Sequence, residues 1–156
     1  MTMTASGPGN GPETLRREVF ETDGVTVDPL LVLVVGRSRI NAVVVAKIAE
    51  RSGLHSISEP PERAGDALKG VLPALVILDG GAANGDCEEL MPPLGELRQS
   101  VGLPAVILLS TGNFTEVTLA HAGIVDAVVS KPILPELLQP VVDRLVGRDP
   151  PDPPFL

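Results

Sequence analysis

The chain of 156 residues has few aromatic side chains and almost no cysteine. It contains no Trp or Tyr, three Phe and a single cysteine, Cys87. One cysteine excludes an internal disulfide framework and is typical of a reducing compartment. Positive charge is also scarce, with 12 basic against 20 acidic residues and a formal net charge of −8. A nucleic-acid surface needs clustered positive charge and rings that stack on bases, so we expect no nucleic-acid partner.

Long hydrophobic runs are lacking as well. No apolar run approaches the ~20 residues that a membrane-spanning helix needs. The N-terminus, Met1 to Pro12, lacks the basic and apolar regions of a secretion signal. We therefore expect a cytoplasmic protein with no membrane partner. At 44% apolar content, the chain is long enough for one hydrophobic core and too short for two ordinary domains.

Composition divides the chain into a folded part and two tails. Residues 1–28 are rich in small and polar side chains and are predicted to be flexible. Within them, residues 13–21 are predicted either as a short helix that docks on the domain or as a frayed arm. Residues 148–156 form a proline-rich tail, because proline cannot continue a helix or a central strand. The predicted domain covers residues 29–147.

Within the predicted domain, short apolar runs alternate with segments of helical spacing. This alternation indicates strands that alternate with helices, and the uninterrupted runs indicate strands buried on both faces. Right-handed crossovers force five such units into a doubly wound α/β sheet, whose site lies beyond the carboxyl ends of the strands. The five predicted strands are Leu30–Val35, Leu54–Ser58, Ala74–Leu78, Pro104–Leu109 and Ala127–Ser130.

The helical segments are less regular than the strands. Pro92 and Pro93 are predicted to kink or split the helix over residues 86–100. A further short helix is predicted near residues 114–122, and the last helix follows Leu134 despite Pro140.

Residues that directly follow the strands are the candidate functional residues. A buried run ends in a lone acid, Asp79, in the sequence LVILD, and a later strand ends in Lys131-Pro132, in VVSKPI. Gly36 and Arg37 follow the first strand. Ser110 and Thr111 follow the fourth strand.

This order of features resembles the receiver domains of two-component response regulators, the CheY-like fold, over roughly residues 30–146. The separation of Asp79 and Lys131, 131 − 79 = 52 positions, suits that family. The resemblance implies a five-stranded parallel sheet of strand order 2-1-3-4-5. It also implies that Asp79 is equivalent to the phosphoacceptor and that Lys131 is the partner of the phosphoryl group, its Lys-Pro bond usually cis.

The resemblance assigns two further functions to residues after the strands. A Ser or Thr after the fourth strand senses the phosphoryl group, and Ser110 and Thr111 are the candidates, although Leu109 falls nearest the expected position. Two acidic residues after the first strand help to bind magnesium in the family. Both acids matter chemically, because an aspartate that attacks phosphorus needs a divalent cation and a lysine to neutralise charge.

The chain departs from the family at the acidic pair and at the switch aromatic. Gly36 and Arg37 stand where the two acids are expected, and glycine supplies no ligand while arginine adds positive charge. The fifth strand carries no aromatic residue, and Val128 or a neighbour takes that position. His55 and His121 have no metal-ligand spacing. We therefore predict a degenerate receiver, or pseudoreceiver, with no metal site, no cofactor and magnesium binding lost.

Two hypotheses remain for each charged residue of the site. Asp79 is either a working phosphoacceptor or, as we favour, a carboxylate held in a salt bridge by Lys131 or Arg37. Lys131 is correspondingly a phosphate partner or a counter-ion. The Arg37 guanidinium either lies beside Asp79 and replaces the cation, or points into solvent.

The resulting functional prediction is a stand-alone, atypical response regulator that is not an enzyme and acts by protein–protein interaction. Its partner would be a histidine kinase, a phosphotransfer protein or a downstream regulator, with a homodimer as an open alternative. Partners of the family often bind a surface equivalent to residues 114–146, where Phe114, Val117 and Leu119 are candidates. The alternatives are a functional phosphorelay receiver phosphorylated on Asp79 and a doubly wound domain that binds a small ligand.

Overall fold

The computed structural model describes residues 19–22, 24–80, 87–110 and 123–147. Within these residues, six strands form one sheet. The central strands are continuous runs of Val, Leu and Ile because helices cover both of their faces. The strands are β1 (Phe20–Thr22), β2 (Val25–Val35), β3 (His55–Glu59), β4 (Leu72–Asp79), β5 (Ala105–Ser110) and β6 (Ala127–Ser130).

The described residues also form four α-helices. These are α1 (Arg39–Arg51), α2 (Pro61–Gly70), α3 (Met91–Ser100) and α4 (Pro135–Leu145). The predicted helix over residues 86–100 is split, because a short 3-10 helix, Glu88–Leu90, precedes α3. Pro92 and Pro93 lie in the first turn of α3, where the missing amide hydrogen removes no helical hydrogen bond. The helix predicted near residues 114–122 lies outside the described residues.

The sheet is mostly parallel, which confirms the predicted α/β class. Strand β2 pairs in parallel with β3 on one side and with β4 on the other. Strand β5 then pairs with β4, and β6 pairs with β5. The carboxyl ends of these strands consequently share one edge of the sheet, where a doubly wound fold places its site.

Strand β1 was not predicted. It pairs antiparallel with the first residues of β2, with Phe20 opposite Val27. The helix predicted over residues 13–21 is therefore wrong for Phe20 and Glu21, and residues 13–18 lie outside the described residues. Gly24 connects the two strands at a φ of 78°, a conformation that favours glycine.

Strand β2 begins at Val25, before the predicted start at Leu30. Asp28-Pro29 breaks the apolar run in the sequence, but the strand continues through an irregularity between Asp28 and Val32. Asp28 is fully buried and is satisfied by the Leu30 N–H at 3.0 Å and by His55 Nε2 at 3.2 Å. Burial of this carboxylate requires such partners, and the sequence alone does not reveal them.

Two apolar layers cover the faces of the sheet. Helices α2 and α3 pack on one face through residues that include Leu68 and Leu94. Helices α1 and α4 pack on the other through Ile48, Leu138 and Val142. Among the described helices, none combines the length and the apolar character that a membrane crossing requires.

Candidate functional site

Asp79 and Lys131 meet at the carboxyl edge of the sheet. Asp79 is the last residue of β4, and Lys131 directly follows β6 with a cis peptide bond to Pro132. Lys131 Nζ lies 2.6 Å from Asp79 Oδ1, and the two side chains are 12% and 6% exposed. The pair is a nearly buried salt bridge, in which each charge neutralises the other.

The second oxygen of Asp79 is bound by Asn41, a residue that the sequence analysis missed. Asn41 Nδ2 donates to Asp79 Oδ2 at 2.8 Å. Asn41 lies in the first turn of α1, where its backbone N–H donates to the side chain of the capping residue Ser38 at 3.1 Å. The signal in the sequence was this cap, since a helix that begins after β2 directs its first turn towards the edge where the strands end.

In the described part of the chain, no hydrogen bond or ion pair joins Arg37 to Asp79. Its guanidinium forms an ion pair with Glu62 in α2, with Nη2 3.0 Å from Oε1, and both side chains are 58% exposed. The hypothesis that Arg37 replaces the cation at Asp79 is therefore wrong, because the hydrogen bonds to this carboxylate come from Asn41 and Lys131. A hydrogen bond from the Glu62 backbone and then the Arg37 guanidinium lower the pKa of Glu62.

Gly36 lies against Asp79. A Cβ atom at Gly36 would be 2.8 Å from Asp79 Cβ and 3.1 Å from the Asp79 carbonyl oxygen. Real Cβ atoms essentially never approach other heavy atoms closer than 3.0 Å. Gly36, which we predicted as the first of the two acidic-pair positions, is therefore closed to any side chain unless the backbone at Gly36 or Asp79 moves.

A crevice opens beside this cluster, between the ends of β2 and β3. Its volume is about 330 Å³, and Asn41 and Asp79 are among the lining residues while Lys131 is not. Charged groups of both signs line it, including Arg37, Arg39 and Glu59. A molecule in the crevice would therefore approach Asp79 from the side of Asn41 and not from the side of Lys131.

Three solved structures illustrate what this arrangement is similar to. A response regulator from Thermotoga maritima matches with a TM-score of 0.63 and 22% identity, over 75% of this chain and 97% of that chain. A response regulator receiver protein from Burkholderia phymatum matches with a TM-score of 0.63 and 20% identity, over 78% and 98%. The pseudo-receiver domain of the CikA protein matches with a TM-score of 0.56 and 23% identity, over 78% and 98%.

The fold is that of a response-regulator receiver domain. These identities are low, so the likeness establishes the receiver fold and carries no residue's role with it. A comparison with family models finds no match, and neither does a comparison with curated protein sequences.

The receiver fold places Ser110 near the Asp79–Lys131 pair. In the pairing of β4 with β5, Leu109 is opposite Asp79, and Ser110 is the next and last residue of β5. Ser110 is fully buried, and its carbonyl oxygen accepts the Lys131 N–H at 3.0 Å. Thr111 lies outside the described residues.

Val128, which the sequence analysis places at or next to the position of the family's switch aromatic, lies on β6 opposite Leu108. It packs against the apolar layer formed with α2 and α3. An aliphatic side chain in this layer has no ring to reorient.

The donors around Asp79 do not fit the magnesium ion that the receiver fold implies. Magnesium prefers several oxygen ligands in octahedral geometry, usually carboxylates and waters. Gly36 supplies none, and each oxygen of Asp79 already accepts a hydrogen bond. In the described part of the chain, no group of three or more His, Cys, Asp or Glu side chains is placed to hold a metal.

Proposed function

We propose that the chain is an atypical receiver of two-component signal transduction that binds another protein and is not switched by magnesium-dependent phosphorylation of Asp79. The observation that carries this proposal is the double engagement of the Asp79 carboxylate, by Lys131 at Oδ1 and by Asn41 at Oδ2. In this proposal Asp79 and Lys131 are structural counter-ions, and the protein works in the cytoplasm without catalysis of its own.

The chemistry of phosphoryl transfer supports this assignment. Attack on phosphorus needs a free carboxylate oxygen, a divalent cation and a positive charge that can turn towards the phosphoryl oxygens. Here the Lys131 charge is already neutralised within a nearly buried pair. At the two positions predicted for the acidic pair, Gly36 and Arg37 supply no carboxylate that could share a cation with Asp79.

An exposed apolar surface supports the interaction role. Ile40 and Val43 on α1 are 77% and 60% exposed, and Leu134 and Leu137 at the start of α4 are 41% and 48% exposed. Exposed apolar side chains that cluster on one surface are typical of a protein-binding site. Leu134 and Leu137 fall within the surface predicted over residues 114–146, whereas Phe114, Val117 and Leu119 lie outside the described residues.

The two apolar pairs lie at the same level of one helix layer. Ser52 at the end of α1 donates to Asp143 in α4 at 2.5 Å, and Gln139 in α4 donates to the Ile48 carbonyl oxygen at 3.3 Å. Each contact joins a residue of α1 to the residue 91 positions later in α4, so the two helices run in the same direction with a constant offset. By the same offset, 43 + 91 = 134, Val43 is level with Leu134 along the two helices. We therefore infer that a partner contacts both helices at the crevice end. The partner class is a histidine kinase, a phosphotransfer protein, a downstream regulator or a second copy of the chain.

The phosphorylation part of the proposal is tested with the purified full chain, acetyl phosphate and magnesium, read by intact mass. We expect no addition of a phosphoryl group to the wild type, and an unchanged mass in the matched Asp79→Ala variant. A receiver known to accept acetyl phosphate, incubated in parallel, verifies the donor. An addition to the wild type that Asp79→Ala loses would make the chain a phosphorelay receiver and would overturn the proposal.

The crevice favours one further candidate, the binding of a small polar ligand. Its 330 Å³ volume and its lining of Arg37, Arg39, Glu59 and Asp79 lie where doubly wound folds bind ligands. A saturable rise of the melting temperature with a nucleotide or a small organic acid would support this candidate. If no compound of such a set raises the melting temperature, the small-ligand candidate is rejected and protein binding is the function that stands.

A further inference from the structure

In the hydrogen bond between Asn41 and Asp79, the donor and the acceptor can be assigned. A carboxylate only accepts hydrogen bonds, so the group facing Oδ2 must be the amide nitrogen of Asn41 and not its oxygen. At 2.8 Å this is an ordinary hydrogen bond to a charged acceptor. Asn41 therefore presents a neutral donor at the point where a metal would require an oxygen ligand.

Asn41 and Asp79 line the crevice together. Lys131 contacts Asp79 from outside this lining. A cation that approaches through the crevice meets the amide N–H of Asn41 at Oδ2 and the repulsion of the Lys131 charge behind Oδ1. Gly36 has no side chain that could supply a ligand, and a Cβ added there would be 2.8 Å from Asp79 Cβ.

We propose that Asn41 is the positioning residue that keeps Asp79 free of divalent cations. Its amide occupies Oδ2, holds the carboxylate towards Lys131 and supplies no oxygen to a metal. This inference rests on the proposed function, in which Asp79 is a counter-ion, and it names the residue that enforces that state. It predicts that a single change, Asn41→Asp, creates a cation site.

The reason is electrostatic. In the Asn41→Asp variant two carboxylates face each other at hydrogen-bond distance, with Glu59 also lining the crevice. Two carboxylates this close repel each other, and the single Lys131 charge can neutralise only one of them, so the pair favours uptake of a proton or a cation. A divalent cation with carboxylate and water ligands relieves that repulsion.

The test measures magnesium and manganese binding by isothermal titration calorimetry on the full chain. We expect the wild type to show no saturable binding of either cation. We expect Asn41→Asp to show a saturable site, whose affinity is at least about tenfold higher than the upper limit that the titration sets for the wild type. The site should disappear in the double variant Asn41→Asp/Asp79→Asn. Circular dichroism and thermal melting verify that each variant is folded.

A matched control separates the contact with Asp79 from the general charge of the crevice. Ser38 also lines the crevice and caps α1, and aspartate is an equally good cap, so Ser38→Asp adds the same charge and keeps the helix. We expect this variant to bind no more magnesium than the wild type. Equal gains in Ser38→Asp and Asn41→Asp would overturn the specific role of Asn41.

The remaining outcomes distinguish this inference from the proposed function. A folded Asn41→Asp variant that binds no cation overturns the role of Asn41, and the proposed function stands. Saturable magnesium binding by the wild type overturns the exclusion itself. Phosphorylation of wild-type Asp79 by acetyl phosphate overturns the proposed function, whatever the affinity of the Asn41→Asp variant.

Discussion

A methyl group at Gly36 would lie 2.8 Å from Asp79 Cβ, a distance that real Cβ contacts essentially never show. The atom it meets is fixed to the backbone of a central strand, so the clash cannot be relieved by a rotation of the side chain. We predict that Gly36→Ala destabilises the protein by about 1–3 kcal/mol, as other overpacking changes do. Urea unfolding gives the free energy of unfolding of both proteins.

Gly65 provides the matched control for this prediction. It lies within α2, and a Cβ at Gly65 would meet no atom within 4 Å. Alanine is favoured over glycine inside helices, so Gly65→Ala should stabilise the protein by up to about 1 kcal/mol. The same substitution thus has opposite effects at the two glycines. A Gly36→Ala protein as stable as the wild type would show that β2 and β4 separate easily at this edge.

Single residues also show how far sequence reasoning reached. The positions of Asp79 and Lys131 followed from strand ends and the Lys-Pro step, and their side chains meet in the structure. Asn41 was missed because only residues immediately after the strands were considered. Arg37 was misplaced because its ion pair with Glu62 depends on how the start of α2 is placed, which no local pattern encodes.

At the scale of elements, one ion pair joins α3 to the β5–β6 region. Arg98 in α3 forms a two-point contact with Asp126, with Nη2 2.8 Å from Oδ1 and Nη1 bonded to Oδ2. Asp126 also accepts the Val106 N–H at 2.8 Å. Because the Arg98 and Asp126 side chains are only 23% and 24% exposed, we predict that Asp126→Asn lowers the free energy of unfolding by about 1–3 kcal/mol at pH 7.

This loss should depend on pH. Burial raises the pKa of Asp126, but hydrogen bonds from Arg98 and from the Val106 N–H, with the attraction to Arg98, outweigh it and lower the pKa below the ordinary value of 3.8. The carboxylate therefore stabilises the fold above pH 3.8, and this stability is lost as the pH falls through the folded pKa.

Urea unfolding across this range tests the prediction. The difference between wild type and Asp126→Asn should shrink as the pH falls below about 4. Asp66→Asn is the control, because Asp66 pairs with Lys69 at 3.9 Å on the surface and should change stability by less than about 0.5 kcal/mol. A constant difference at all pH values would contradict the role assigned to the charge of Asp126.

Elements were predictable where one apolar pattern continued without interruption. Strands β4, β5 and β6 agree with their predicted positions to within about two residues, the usual uncertainty of element ends. The start of β2 was not predictable, because Asp28-Pro29 is typical of a break. Its continuation depends on the burial of Asp28 beside Leu30 and His55, which are contacts made only in the folded sheet.

At the scale of the whole molecule, charge is distributed unevenly. The chain has a net charge of −8, yet residues 37–51, at the start and along α1, carry four basic side chains against one acidic side chain, Glu50. Ile40 and Val43 are exposed among these basic residues. A partner surface that combines apolar and acidic side chains would match this helix, and the association should weaken as salt is raised.

The Ile40→Glu/Val43→Glu variant tests this surface. The partner is first isolated by cross-linking and affinity capture and then purified, so that its affinity is measured against each variant. We expect the double variant to lower the affinity at least about tenfold, because it buries two charges and reduces the net charge of residues 37–51 from 4 − 1 = +3 to 3 − 2 = +1. Its melting temperature should stay near that of the wild type, since both side chains are exposed.

Val71→Glu is the matched control, because Val71 is an exposed apolar residue at the end of α2, on the opposite face of the sheet. Wild-type affinity in the control and its loss in the double variant locate the interface on α1. Wild-type affinity in the Ile40→Glu/Val43→Glu variant, with a loss in Val71→Glu, would instead place the partner on the α2–α3 face. The exposed apolar residues of α1 would then have no part in binding, and the charge pattern around them would be a property of the solvated surface alone.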